Sequence, residues 1–341
     1  MRSLFFDAAS VKNMPDVSKW NVNKVQNISG FFYNCMNLEN IPDISKWDIS
    51  NVTDISYLFY GCKKAKKLPD ISKWNISKVT NINGLFQKCE LLESLPNISQ
   101  WKLENVNDIC SIFQGCSNLV SLPDISKWDL KNITSLSCVF EDCLSLRSLP
   151  DISKWDISNI TRLDFLFKNC KKIKTFPDIS KWKTLNINSL YRLFKGCKKL
   201  EDFSDLSKWD VSQVTSLRSV FEDCSSAKKL PNISKWNIGN MDTLRDAFKD
   251  CKSLEELPDI SNWNTRNIID MFGMFEGCEN LKQLPPIERW NLDKLSNCED
   301  MFKNCIFLEG KIPQIFIVKL KQQKEKEKKE EEMSKKLENM V

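Results

Sequence analysis

Apolar residues return along this chain with a period of 27 rather than with the short periods of a single helix or strand. Tryptophan marks it: Trp20, Trp47, Trp74, Trp101, Trp128, Trp155, Trp182, Trp209, Trp236, Trp263 and Trp290 are spaced by 27 residues without a slip. A second comb runs from Cys35 and Cys62 to Cys278 and Cys305, with a phenylalanine three residues before each, from Phe32 and Phe59 to Phe275 and Phe302. Constant unit length with fixed apolar positions means that each unit follows the same path and lays its side chains on those of the unit before it. That is the pattern of a solenoid.

Within a unit, Val79, Ile82, Leu85, Phe86 and Cys89 fall on one face of a helix, and this spacing predicts a short helix there. The stretch "KWNIS" alternates, with Trp74 and Ile76 inward while Lys73, Asn75 and Ser77 face out, which predicts a short parallel strand half buried in a sheet. The proline of "LPDI" supplies no amide hydrogen and marks the connection. The predicted fold class is therefore α/β, a leucine-rich-repeat-like right-handed solenoid of eleven 27-residue units with strands on one face and helices on the other. A parallel β-helix is the second architecture. At roughly 4.8 Å per stacked strand, eleven units extend on the order of 50 Å along the axis.

The phrase "W-[DN]-[IV]-S-x-V-T-x-[IM]" followed by "[LM]-F-x2-C" resembles the BspA-like leucine-rich-repeat surface proteins, known from mycoplasma and other bacterial lipoproteins. The likeness covers residues 1 to about 310. It implies a repeat solenoid, often at the cell surface, associated with adhesion and protein binding and without catalysis.

Composition agrees with a folded chain: 41% hydrophobic and 28% charged residues. The formal charge of +5 is spread over a long surface and predicts no general affinity for nucleic acid or anionic membranes. There is no histidine, which removes the usual general base and the commonest zinc ligand; no enzyme activity, cofactor or metal is expected. No apolar run reaches the length of a transmembrane helix, and the first residues lack a secretory signal or lipobox. The comb enters at Phe5, Ala8 and Val11, inside a unit. As written the chain reads as cytoplasmic, and as a surface protein if a segment precedes it.

Each repeated column has a structural reading and a functional one. The tryptophans are expected to form an internal spine, and the cysteines a column of buried, reduced thiols; Cys110, Cys138 and Cys298 fall outside the comb and read as core substitutes. Seven Asn-x-Ser/Thr sequons, at Asn27, Asn51, Asn75, Asn97, Asn132, Asn159 and Asn232, come with the repeat itself. Lys46, Lys73, Lys127, Lys154, Lys181, Lys208 and Lys235, beside Asp48, Asp129, Asp156 and Asp210, read as solvated framework. Positions after each cysteine differ between units. There Lys63, Lys64, Lys66 and Lys67, then Lys171, Lys172, Lys174, Lys198 and Lys199, are the candidate protein-binding residues.

From about residue 311 the comb fails, and residues 311–341 form a charged tail, helical or disordered. The expected function is a monomeric protein-binding or adhesion scaffold; the competing reading is an intracellular regulatory interaction module of a larger multidomain protein.

Overall fold

The computed structural model describes residues 1–338. The chain winds as a solenoid in which each coil repeats the one before it at a spacing of 27 residues. Parallel bridges fix the register: Asn27 pairs with Asp54, Asp54 with Asn81, Asn81 with Asp108, and the same column resumes from Ser135 to Ser189 and from Ser216 to Asn297. The comb residues point inward. Phe59, Phe86, Phe113, Phe140, Phe167, Phe221 and Phe248 are fully buried, and successive Phe rings lie nearly parallel with centroids 5.5 to 6.0 Å apart from Phe32 to Phe302.

The predicted division into strands and helices is corrected. The run from Val79 to Cys89 is a chain of tight turns, closed by bonds such as Leu85 N–H to Ile82 O at 3.2 Å and Cys89 N–H to Phe86 O at 3.2 Å. Its left-handed residues exclude a helix. In every unit two positions four apart carry positive φ, for instance Gly84 at 58° and Lys88 at 59°, or Arg192 at 56° and Gly196 at 73°. The alternate amides of this run point along the solenoid axis to the next coil: Ile82 to Asp108 O, Gly84 to Cys110 O, Phe86 to Ile112 O and Lys88 to Gln114 O, at 2.7 to 3.1 Å. An α-helix would turn those amides inward on itself, and its diameter of about 10 Å exceeds the roughly 4.8 Å between bonded backbones. Tight stacking therefore selects turns.

"KWNIS" likewise forms no strand ladder, and among the described residues only isolated bridges occur. Trp74 and Ile76 are nonetheless buried as their alternation predicts. The two D-I-S triplets of the repeated phrase close Asx-turns: Ser45 N–H donates to Asp43 Oδ1 at 2.9 Å, and Ser50 N–H to Asp48 Oδ1 at 3.1 Å. These short side-chain links bend the backbone without help from regular structure.

Three further columns tie coil to coil. The indole N–H of Trp155 donates to Ile125 O at 3.0 Å, and Trp47, Trp182, Trp209, Trp236 and Trp290 make the same bond one coil back. Each comb thiol donates to the phenylalanine carbonyl of the coil before, as Cys62 does to Phe32 O at 3.3 Å and Cys170 to Phe140 O at 3.2 Å. Asparagine side chains do likewise: Asn51, Asn132 and Asn159 donate to the carbonyls of Asn23, Glu104 and Lys131. Three of the sequons are thereby structural donors.

The indole N–H groups of Trp101 and Trp128 are buried without a hydrogen-bond partner; other exceptions lie where the stack ends or the column changes. Trp20, with only the first residues before it, is 38% exposed, unlike the other tryptophans. Cys298 is buried, but Cys110 and Cys138 are only half-buried: they occupy outward positions of the turn run, which corrects their assignment to the core. At the far end, helix α1 (Gln314–Glu338) covers the last coil. Its Phe316 is fully buried and meets Trp290 and Phe302 edge-on at 6.2 and 5.6 Å, while Gln323 Oε1 accepts the amide of Cys298 at 3.1 Å. Residues 339–341 of the predicted tail lie outside the described residues.

Candidate interaction surface

Two surfaces vary from coil to coil. The first holds the nine lysines singled out above. Lys63 pairs with Glu90 of the next coil at 2.8 Å, Lys66 with Glu93 at 4.0 Å, Lys174 with Glu201 at 3.1 Å and Lys198 with Asp223 at 3.0 Å. Such exposed pairs contribute about 0 to 1 kcal/mol each. Lys64, Lys66 and Lys67 line an open groove of about 980 Å³ together with Glu39, Leu68 and Glu93; Lys172 and Lys199 are exposed and Lys171 is half-buried. The solenoid does not bring the two groups of lysines together. The coil of Lys63 and that of Lys171 are four turns apart, roughly 20 Å along the axis.

The second surface is the outer side of the turn run, hereafter the turn face. Its columns include the bridging residue, the two left-handed positions and the residues beside them. All four tyrosines of the chain, Tyr33, Tyr57, Tyr60 and Tyr191, lie there. So do Arg162, Arg192, Arg218 and Arg245, with Phe165 and Phe272. Sequence reasoning passed over them because no one residue type holds its column along the whole chain. Aligning the units at their tryptophans would have gathered them, since Tyr33 and Tyr60 share one column and Tyr191, Arg218, Arg245 and Phe272 share another.

The amino-terminal half of this face is aromatic and largely uncharged. Phe6 stacks on Tyr33 at 4.5 Å and Tyr33 on Tyr60 at 4.3 Å, while Tyr57 meets Tyr60 nearly at right angles. The ring of Tyr57 lies over Gly84, where a Cβ would come within 2.5 Å of it, so the glycine makes room for the tyrosine. Burial raises the hydroxyl pKa of both Tyr33 and Tyr57.

Charge dominates the carboxyl-terminal half, and most of it is paired between coils. Lys168 Nζ meets Glu141, Lys195 meets Glu222 and Lys249 meets Glu276, each at 2.7 Å. Asp164, 2% exposed, is held by Arg162 at 2.7 Å, by the Tyr191 amide at 3.2 Å and by the Ser189 hydroxyl. Asp246 sits beside Arg245 and Lys249, yet burial raises its pKa.

The cysteine column offers no reactive centre. Burial pushes Cys116 up to about 12, and Cys35, less deeply placed, to about 11. Among the described residues no group of His, Cys, Asp and Glu is arranged to hold a metal ion, and no helix is long and apolar enough to cross a membrane.

Comparison with known proteins gives one family and a set of distant structures. A family model described as "Mycoplasma protein of unknown function, DUF285" matches residues 1–121, 85–202, 109–232, 143–256 and 216–340. No curated protein matches the chain. Similar solved structures include a leucine-rich repeat protein from Bacteroides ovatus (19% identity, 67% of this chain and 69% of that one, TM-score 0.29). A leucine rich cell surface protein from Faecalibacterium prausnitzii is also similar (19% identity, 80% and 75%, TM-score 0.31). So is the leucine rich repeat protein of T. pallidum (16% identity, 69% and 80%, TM-score 0.27).

Proposed function

Taking as premise that the chain belongs to the DUF285 family of mycoplasma-type proteins, we propose that it is a non-catalytic protein-binding scaffold whose partner lies along the turn face. The observation that carries this reading is the segregation of residue types. All four tyrosines and five of the eight arginines, side chains that dominate binding energy at interfaces, lie on one face of a framework otherwise built by repetition. Tyr33, Tyr57 and Tyr60, set among Asn, Ser and Gln, have the composition of an adaptable binding surface. The chain's lack of histidine and its interlocked ion pairs agree with binding rather than chemistry. Adhesion is the form this function takes if the partner belongs to another surface; regulation within a larger protein is the other form.

The lysine columns are the second candidate surface, supported by the groove at Lys64, Lys66 and Lys67. Substitution separates the two. Peptides selected from a displayed random library on the immobilised protein are expected to lose about tenfold in affinity, roughly 1.4 kcal/mol, when Tyr57→Ser and Tyr60→Ser are combined. Charge reversal of Lys63, Lys64, Lys66 and Lys67 to Glu is expected to change them less than about twofold. The opposite ranking would move the binding surface to the lysine columns.

A further inference from the structure

Tyr191, Arg192 and Arg218 form an arrangement that packing alone does not require. In successive coils the amide of Phe165 donates to Tyr191 O at 2.9 Å, and that of Arg192 to Arg218 O at 3.2 Å. The register therefore brings these four residues side by side. Phe165 and Tyr191 meet edge-on at 5.0 Å. The guanidinium of Arg192 lies 4.8 Å from the Tyr191 ring centre and 5.9 Å from that of Phe165; the guanidinium of Arg218 lies 5.9 Å from Tyr191.

A ring face holds a guanidinium through its π electrons and leaves the in-plane N–H donors free. Among the described residues neither Arg192 nor Arg218 has an ion-pair partner, whereas Arg162 and Arg245 do. Of the nearby carboxylates, Asp164 pairs with Arg162 and Glu222 with Lys195; Asp246 lies 3.6 Å from Arg245 and 3.9 Å from Lys249, feels the charge of Arg218, and keeps a buried Oδ1 without a hydrogen bond. Arg192 Nε is buried without a hydrogen-bond partner.

The backbone gives a second, independent sign. Phe165 and Arg192 hold φ of 57° and 56°, a left-handed region that glycine enters freely and that a residue with a Cβ enters at a cost. The equivalent positions in other coils are held mostly by small or short polar residues, Ser3, Gly30, Gly84, Ser111, Cys138, Ser219, Asp246, Gly273 and Asp300, with Tyr57 the one other large side chain. Large side chains at strained backbone positions mark places where something other than folding is served.

We infer that Arg192 and Arg218, propped on Tyr191 and Phe165, are a docking point for carboxylate side chains of an acidic protein segment. Planar forks with open donors bind carboxylates two bonds at a time. The proposal rests on the turn face being the binding surface and adds the chemistry of the partner at that place.

The test uses the full chain and an end-labelled hexaglutamate peptide, read by fluorescence anisotropy at low and physiological salt. The peptide is expected to bind, and to bind about tenfold more weakly to the double variant Arg192→Lys with Arg218→Lys, which keeps the charge and removes the fork. Tyr191→Leu, which keeps both arginines and removes the prop, is expected to weaken it similarly. Lys63, Lys64, Lys66 and Lys67 changed together to Gln should leave it within about twofold. Thermal melts of each variant exclude unfolding as the cause. Equal binding by the Arg→Lys variant, or loss only with the lysine-column variant, overturns the inference, as does preference for a single-stranded oligonucleotide over the peptide. If hexaglutamate fails while library peptides still depend on Tyr57 and Tyr60, the docking point falls and the scaffold reading stands; if both fail, both fall.

Discussion

Trp155 illustrates what one residue contributes in a repeat. Its indole fills the interior and donates a hydrogen bond to the coil behind it, so Trp155→Ala is expected to cost about 3 to 5 kcal/mol in denaturant unfolding. Trp155→Phe, which keeps most of the packing, should cost about 1 kcal/mol more than the ring substitution alone. The thiols give a second prediction. Twelve of the fourteen cysteines are buried and Cys110 and Cys138 are half-buried, so under native conditions a thiol reagent is expected to titrate those two first. Denaturant should release the rest; rapid native reaction of the whole column would contradict the packing. Acid sensitivity belongs to this scale too. The Ser hydroxyl and amide two residues on hold the carboxyls of Asp70, Asp124 and Asp178 below their ordinary 3.8. Because the folded values are depressed, this stabilisation is complete above that pH and is lost as pH falls through the lower folded values. Melting temperature should therefore drop below about pH 4, and Asp→Asn changes in several coils should flatten the fall. Residues of this kind were legible in the sequence because a fixed period leaves inward positions no freedom. The tyrosines and arginines were not, because their columns change residue type along the chain and show no repeated letter.

At the scale of the element, the turn run shows how a spacing can mislead. Ile82, Leu85, Phe86 and Cys89 fit the stripe of a helix, yet the same offsets arise when alternating turns return every third or fourth residue to the interior. The contrary signal lay in the left-handed columns, where Gly84, Gly115, Asp142 and Asn169 are residues that tolerate positive φ and that helices disfavour. Gly84→Ala discriminates the two. In a helix it would stabilise by about 1 kcal/mol; here, at φ 58° and with Tyr57 2.5 Å from the new methyl group, it is expected to destabilise by about 1 to 2 kcal/mol or more. A rise in the denaturation midpoint would restore the helix.

For the whole molecule, the fold makes surface chemistry additive. Because the framework is supplied by stacked Phe, Trp and Cys, side chains on the turn face can change from Tyr60 to Lys195 without altering the path of the chain. On the proposed reading, the amino-terminal tyrosines and the carboxyl-terminal arginines meet different parts of one extended partner. The axial bonds also bear on mechanics. Each coil is fastened to its neighbours by hydrogen bonds that run along the direction of a pull between the termini, so force stretches one coil's fastenings at a time rather than shearing a sheet. Tethered by its ends in an optical trap, the protein should lengthen in a low-force staircase, each step releasing one unit of 27 residues, about 90 Å of extended chain: a spring that yields by measured lengths and rewinds when the tension drops.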